Sequence, residues 1–479
     1  MSHFRIFRRF AAAVLASALA LGTLTALPAS ASSAKADEIR QLLEQYHISK
    51  PTDETLDDAA IDGMIDSLND PYTEYFSEEQ MKGFSNLLEQ TFVGIGIVMT
   101  EDDKIVYIED VISGSPAQQA GLQPGDAILS VDGVSMAGKT IADVQRASQG
   151  VEGTKVKFGV KRGEQKLLFQ VVRQTVHMPA ASSKMMGDGV GYLDLDTFSS
   201  DAASKFAKEL KQLEQQGLQS LIVDLRSNGG GYVDQAQLIA SQFIDDGVLA
   251  HLLDRDGNDT PLAVQGTTKP YPVWILVNGG SASASELLSG ALQDYGIAKL
   301  IGTKTYGKGV VQRLVPVPSG GTLKVTVQEY LTPNGNHVDK VGLQPDLVVE
   351  GSLEQLMAGF RAAGGRTLTL TLGKGSAVVN GVRVAQPGLV LKKNGVWYVR
   401  TKLGANVAEA MLSYDAKAKQ IVLLRDSASF RASVKDGQAI LVDGVSYLDV
   451  RLLAKWFGDV QWSAAGDGTV TLADTAAAA

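Results

Sequence analysis

Three short segments hold residues whose types and spacing suit acyl transfer. Residues 278–295, NGGSASASELLSGALQDY, place several serines where an apolar strand gives way to a helix. Backbone amides and the helix dipole at such a junction stabilise developing negative charge, which a serine attacking a carbonyl requires. Ser283 and Glu286 also spell S-x-x-E, a capping box, so the same residues can start a helix and do nothing more. In residues 305–317, TYGKGVVQRLVPV, Lys308 stands between two glycines with Gln312 four residues on. In extended chain both side chains share a face. A lysine buried among apolar residues is disfavoured as ammonium and becomes a base for a serine, with Gln312 able to hold its amine; a solvated loop lysine is the plainer alternative. Residues 221–237, LIVDLRSNGGGYVDQAQ, run from a strand through Gly229, Gly230 and Gly231. Consecutive glycines let amides point into a site, as an oxyanion hole needs.

Two nucleotide readings compete and fail. GTKTYGKG, residues 302–309, matches the glycines and lysine of a phosphate loop, but Gly309 stands where Ser or Thr would hold magnesium. The glycine run at 229–231 lacks G-x-G-x-x-G spacing.

Composition narrows the chemistry further. Zero cysteines among 479 residues exclude thiol nucleophiles, disulfides and Cys-ligated zinc. The five histidines form no HExxH, and His177, His251 and His337 stand alone, so no metal site is expected. A formal net charge of −9 leaves no basic field for phosphates, so nucleic acid is not an expected partner.

The elements that must position these segments fall into successive blocks. Residues 1–31 read as an export signal: Arg5, Arg8 and Arg9 precede an apolar stretch, and Ala29-Ser30-Ala31 offers a cleavage site, retention as an anchor being the alternative. Cleavage takes the net charge from −9 to −12. The protein is therefore expected to be exported, extracellular or associated with the cell envelope. Residues 32–90 carry apolar residues at helical spacing (Ile39, Leu42, Leu43, Tyr46; Ile61, Met64, Ile65, Leu68) and predict a helical arm. Residues 91–174 alternate short strands with Gly and Asp turns, a compact β-rich module. Residues 175–355 alternate apolar strands with amphipathic stretches, an α/β core. Past a Gly-rich joint at 362–366, residues 366–475 return to strands and turns. There GVWYVRTKL from Gly395 and GVSYLDVRL from Gly444 match at a shift of 49 residues, an internal repeat.

From residue 68 to 349 the chain resembles the carboxy-terminal processing peptidases, endopeptidases with a Ser–Lys pair. The motifs run in order: NDPYTEYF, FVGIGIVM, SPAQQAGLQPGDAILSVDG, GYLDLDTF, DLRSNGGG, SASASE, TYGKGVVQ, and LTPNG with VGLQPD. The resemblance implies Ser283 as nucleophile, Lys308 as its base 25 residues on, Gln312 as support, and the amides of Gly230 and Ala284 as oxyanion hole. Gly229 departs from the family's frequent proline. The β-rich module is implied to be a PDZ domain, with Gly94, Ile95, Gly96 and Ile97 binding the C-terminal tail of a polypeptide ending in an apolar residue.

The implied fold class is multidomain α/β: a helical N-terminal arm, a PDZ module, a crotonase/ClpP-like peptidase core and a C-terminal α+β repeat domain. That last domain resembles the N-terminal module of copper amine oxidases, yet residues 366–474 contain no His or Cys, which argues against copper there. No cofactor is implied. A homodimer and a cell-wall contact through the C-terminal domain are the further partners considered. A non-catalytic peptide-binding protein and another serine hydrolase on the same scaffold are the alternative functions.

Overall fold

The computed structural model describes residues 32–474, apart from 103, 374 and 467. The export signal read over residues 1–31 lies outside the described residues. Among the described residues no helix is long and apolar enough to cross a membrane.

The chain begins in helices Ser32–Tyr46 and Asp53–Asp66, the second started by the Thr52 hydroxyl accepting from the Thr55 amide. Their apolar residues keep helical spacing, yet Ile39, Leu42, Leu43, Tyr46 and Met64 stay exposed, so the arm's apolar side is uncovered. A short strand, Glu74–Phe76, interrupts the arm before helix Glu78–Leu88, which starts with a capping box between Ser77 and Gln80.

A two-stranded ribbon, Thr91–Gly94 against Gln174–His177, carries the next module. Its main sheet orders Ile97–Asp102, Ile105–Val111, Ala127–Val131, Lys155–Arg162 and Gln165–Val172, with helix Ile141–Ser148 packed against the first and third of these strands. Alternation in KVKFGVKR turns Val156, Phe158 and Val160 inward, where they meet Val106, Ile108 and Val144. The ribbon is docked on the core: the Glu89 carboxylate accepts the Ser200 hydroxyl at 2.7 Å, and His177 Nε2 lies 3.2 Å from Asp201 Oδ2.

The core is a six-stranded sheet in the order Ala181–Gly187, Val190–Leu195, Ser220–Asp224, Val273–Val277, Ala298–Gly302, Leu347–Val348. All neighbours after the first strand run parallel. Strand SLIVD is buried at every position, as a strand covered on both faces must be. On one face Leu221, Val223, Ile275 and Val277 meet helices Ala202–Gln215, Val233–Ala240 and Ala284–Asp294. A second sheet flanks the core. In it, strand Thr322–Leu331 lies between Glu74–Phe76 of the arm and Asp246–Asp254, and also pairs with Val310–Pro316.

The other face of the central sheet has an unexpected cover. Ile222, Leu276 and Ile301 pack on Leu353, Leu356 and Phe360 of helix Ser352–Ala362, which in turn pack on Leu370, Leu372 and Leu472. Core and C-terminal domain thus share one hydrophobic interior, each fully buried Leu or Phe contributing about 1.5–3 kcal/mol. Within the C-terminal domain, strand Val396–Arg400, helix Thr401–Val407 and strands Met411–Asp415 and Gln420–Arg425 recur as Val445–Asp449, Val450–Trp456, Val460–Ala464 and Val470–Asp474. Tyr398 pairs with Asp449 and Arg400 with Tyr447, so the copies face each other across a local two-fold. This domain also touches the PDZ-like module, where Arg383 Nε lies 2.9 Å from Glu109 Oε1.

Candidate active site

Three serines sit at the start of helix Ala284–Asp294, and their surroundings separate them. The Ser281 hydroxyl donates to the Leu225 carbonyl at 2.7 Å and the Ser285 hydroxyl to the Asn228 carbonyl at 2.9 Å. Both therefore staple the helix start to the glycine-rich loop. The Ser283 hydroxyl is buried and has no hydrogen-bond partner among the described residues. Ser283 also holds φ at +60° with ψ −114°, a region that costs a non-glycine residue about 1–3 kcal/mol and persists only where its surroundings enforce it.

Glu286 does that enforcing. Its Oε2 accepts the Ser283 amide at 2.9 Å and the Lys308 amide at 2.8 Å, while Oε1 accepts the Gly307 amide at 2.7 Å and the Thr305 hydroxyl at 2.5 Å. One carboxylate thus joins the helix start to the lysine loop. The residues of the capping box offered by the sequence are in place, but its hydrogen bond is the one from the Ser283 amide to Glu286, and the serine hydroxyl bonds none of the described residues. Burial pushes the Glu286 carboxyl up; the bonds from Thr305, Lys308, Ser283 and Gly307 pull against it, and the balance lies above the ordinary value. Tyr330 adds a further tie, its hydroxyl donating to the Ser283 carbonyl at 3.2 Å.

Lys308 is buried to 1% exposure. Burial holds its amine well below the ordinary lysine value, the Lys324 charge adds to that, and Asp70 and Glu286 oppose it. The loop holding it continues into strand Val310–Pro316 rather than a helix, which removes the phosphate-loop reading. Gln312 is buried on that strand; its Nε2 donates to Thr326 Oγ1 at 3.2 Å, and its Oε1 has no partner among the described residues.

Gly230 lies against the serine. A Cβ there would come within 2.8 Å of the Ala282 carbonyl oxygen and 2.9 Å of both the Ala284 nitrogen and Ser283 Cβ, and its φ is +100°. Only glycine fits so close an approach. Its amide donates to Asn228 Oδ1 at 2.9 Å, and Asn228 Nδ2 donates to the Leu195 carbonyl at 2.6 Å. The Ala284 amide opens the helix, where it has no intrahelical acceptor. Ser283, Ala284, Gly230 and the Lys308 loop are therefore brought together.

The residues expected to bind a tail lie apart, in the PDZ-like module. Gly94 ends the ribbon strand, Ile95 and Gly96 make the turn, and Ile97 opens strand Ile97–Asp102, whose outer edge is unpaired among the described residues. The Ile95 side chain belongs to the module's interior, whereas Ile97, Met99, Ile141 and Ala147 are partly buried around it.

Sequence reasoning passed over several neighbours of the lysine. The Tyr72 ring centroid lies 4.6 Å from Lys308 Nζ, and Asp70 acts on the same amine. Both come from NDPYTEYF, a stretch whose turn character was visible but whose destination was not. Beneath the glycine loop, Tyr192 donates to Asp224 at 2.7 Å and Arg226 Nε binds the same carboxylate at 2.8 Å. Asp194, paired in register with Asp224, is pushed up to about 8 by burial first and by the Asp224 charge second.

Comparison with known proteins gives three matches to family descriptions: residues 189–349 to "Peptidase family S41", 107–162 to "PDZ domain" and 22–80 to "Activating protease CtpB N-terminal domain". A "Carboxy-terminal processing protease CtpB" of Bacillus subtilis is 35% identical over 323 residues, covering 66% of this chain and 67% of that one. A "Probable CtpA-like serine protease" of Staphylococcus aureus is 36% identical over 322 residues, covering 66% of this chain. The match spans 64% of the staphylococcal relative's own length. Among solved structures, a photosystem II D1 C-terminal processing protease is 26% identical with a TM-score of 0.44, over 70% of this chain and 98% of that one.

Proposed function

We propose that this chain, which belongs to the carboxy-terminal processing peptidases of family S41, is a serine endopeptidase that cleaves polypeptides taken by their C-terminal tails at its PDZ domain. The observation that carries the reading is the contrast among three neighbouring serines. Ser281 and Ser285 spend their hydroxyls on backbone carbonyls, while Ser283 keeps a buried, unbonded hydroxyl on a strained turn tied through Glu286 to Lys308.

In the proposed reaction Lys308, neutral because it is buried, takes the Ser283 proton as the oxygen attacks a peptide carbonyl. The Ala284 amide and the Gly230 amide receive the oxyanion, Gly230 after Asn228 Oδ1 yields it. Lys308 then protonates the leaving amine, and water hydrolyses the acyl-enzyme. Gln312 steadies the amine through its unpartnered Oε1. The substrate tail adds as a strand along Ile97–Asp102, its carboxylate at the amides of residues 94–97 and its apolar last side chain beside Ile97.

The remaining parts of the reading rest on separate features. Export to the cell envelope or beyond is carried by the sequence pattern of residues 1–31. The uncovered apolar side of helices Ser32–Tyr46 and Asp53–Asp66 supports a homodimer. A cell-wall contact gains no support from a C-terminal domain whose interior is shared with the core.

The test is digestion of an unfolded polypeptide ending in Ala, Val or Leu, with free and amidated ends compared. Hydrolysis should vanish in Ser283→Ala, persist in Ser281→Ala and Ser285→Ala, and favour the free end about tenfold or more, the worth of a lost charge-assisted hydrogen bond. Full activity in Ser283→Ala removes the nucleophile assignment; equal cleavage of both ends removes tail recognition.

A further inference from the structure

The lysine loop is covered by a distant part of the chain: on strand Thr322–Leu331, the Thr326 amide donates to Thr73 Oγ1, 253 residues away. Asp70 opens a turn there: its Oδ1 accepts the Tyr72 amide at 2.9 Å and its Oδ2 the Thr73 hydroxyl at 2.6 Å. That turn sets the Tyr72 ring 4.6 Å from Lys308 Nζ. Thr73 is buried and takes the Thr326 amide at 3.1 Å, and Thr326 Oγ1 takes Gln312 Nε2 at 3.2 Å. Pairing of Glu74, Tyr75 and Phe76 with Lys324, Leu323 and Thr322 fixes the arm in this register.

We infer that Asp70 is a positioning residue for Lys308 and Gln312: through Tyr72, Thr73 and Thr326 it seats the amine and the amide, and the N-terminal arm is thereby part of the active site. The inference rests on Lys308 being the base of Ser283. A plain connector would use the Asp70 carboxylate to cap the turn and nothing more; here the capped turn also sets the Tyr72 ring on the lysine amine and Thr73 on the strand that holds Gln312. Burial pushes the Asp70 carboxyl up, and hydrogen bonds from Thr73, the Tyr72 amide and Thr326, with the Lys308 charge, outweigh it and hold it below the ordinary carboxylate value. Asp70 is therefore ionised at neutral pH and is the nearby anion of the arm. The titratable groups around the amine are Asp70 and Tyr72 from the arm, Lys324 from strand Thr322–Leu331 and Glu286 from the nucleophile helix.

The test uses the full chain labelled with 13Cε-lysine, the Lys308 resonance being assigned by its absence in Lys308→Met. In Asp70→Asn, which keeps the acceptor for the Tyr72 amide, the Lys308 titration should move to lower pH by about one unit, since an opposing negative charge has gone. The acid limb of kcat/KM for a peptide should move the same way by the same amount. In Thr326→Val, kcat should fall about tenfold with KM within about twofold, and Thr326→Ser should restore it, because only the hydroxyl reaches Gln312. If Asp70→Asn shifts neither titration nor limb, or Thr326→Ser is as poor as Thr326→Val, the inference is wrong. Should Asp70→Asn not fold, the Thr326 pair decides by itself. A shifted lysine titration in a chain that cleaves no peptide upholds the seating and rejects the peptidase reading, which keeps the two failures apart.

Discussion

Replacing Glu286 by Gln tests whether one carboxylate holds the serine turn and the lysine loop together. A carboxylate accepts at both oxygens, and here four donors use them: Ser283 and Lys308 amides at one, the Gly307 amide and Thr305 hydroxyl at the other. Glutamine has the same shape but one acceptor oxygen, and its NH2 can only donate. With the NH2 toward the amides of Ser283 and Lys308 two donors face another donor; turned the other way it orphans the Gly307 amide, while the Thr305 hydroxyl can rotate to accept. Each orphaned buried donor costs about 1–3 kcal/mol, so the change should remove about 1–6 kcal/mol of local stability. Differential scanning calorimetry should show the transition of the peptidase core lowered by about 3–20 °C. Hydrolysis should fall at least about a hundredfold, the usual result of moving a catalytic group by an ångström. A transition within about 2 °C of wild type with activity retained would mean that Glu286 carries a proton in the native state, and the account of the clip would be refuted.

Three other outcomes follow from the same geometry. Lys308→Met should be inactive yet more stable than wild type at pH 7, because the native state holds the lysine below its unfolded value and forgoes a proton that the unfolded chain binds; the gain should shrink as pH rises toward about 10.4, and thermal melts with no gain across that range would contradict a desolvated amine. Asp194 has the opposite linkage: its raised value means that stability is lost as pH rises from the ordinary aspartate value of about 3.9 to about 8, so Asp194→Asn should raise the melting temperature most at pH 9 and progressively less toward pH 4. Truncation after residue 365 should give insoluble protein rather than a free peptidase core, since it uncovers Leu356 and Phe360 of helix Ser352–Ala362; a soluble, active truncation, read by size-exclusion chromatography, would show the two domains to be separable.

The candidate residues were legible as candidates because their types and spacing are local, while the choice of Ser283 among its neighbours came from the resemblance. Ser283 at a strand-to-helix junction, a lysine between glycines and a run of glycines each announce a backbone or charge requirement within a few residues. The element boundaries followed from period and from turns, as in KVKFGVKR. The role of Glu286 was hidden by a local explanation, since S-x-x-E accounts for it as a cap and nothing in the sequence measures its distance from Thr305 or Lys308. Asp70 and Tyr72 were hidden by separation along the chain: a turn signal says that the chain bends, not what it bends against. Alternation in VGIGI puts Ile95 and Ile97 on one face, and only the turn at Gly96, with φ +81°, separates them so that Ile95 enters the module. The shared interior was likewise invisible, because a strand buried on both faces reads the same whether helices or another domain cover it.

Long-range pairing also fixes when the site can exist during synthesis. The strand Glu74–Phe76 finds its partner only after residue 324 has been made, and Leu368–Leu372 waits for Val470–Asp474. At about 5–20 residues per second, completing the chain from the end of the catalytic sheet to that closing strand takes roughly 6–25 s. Throughout that interval the nascent chain carries the serine and the lysine but leaves bare the side of helix Ser352–Ala362 that the C-terminal domain will cover. Such surface is what holdase chaperones bind, and contacts of such high sequence separation form slowly. The same order of events means that the lysine loop gains its cover from the turn at residues 70–73 only once residues 322–326 have been made, so the chain is shielded from itself up to that point.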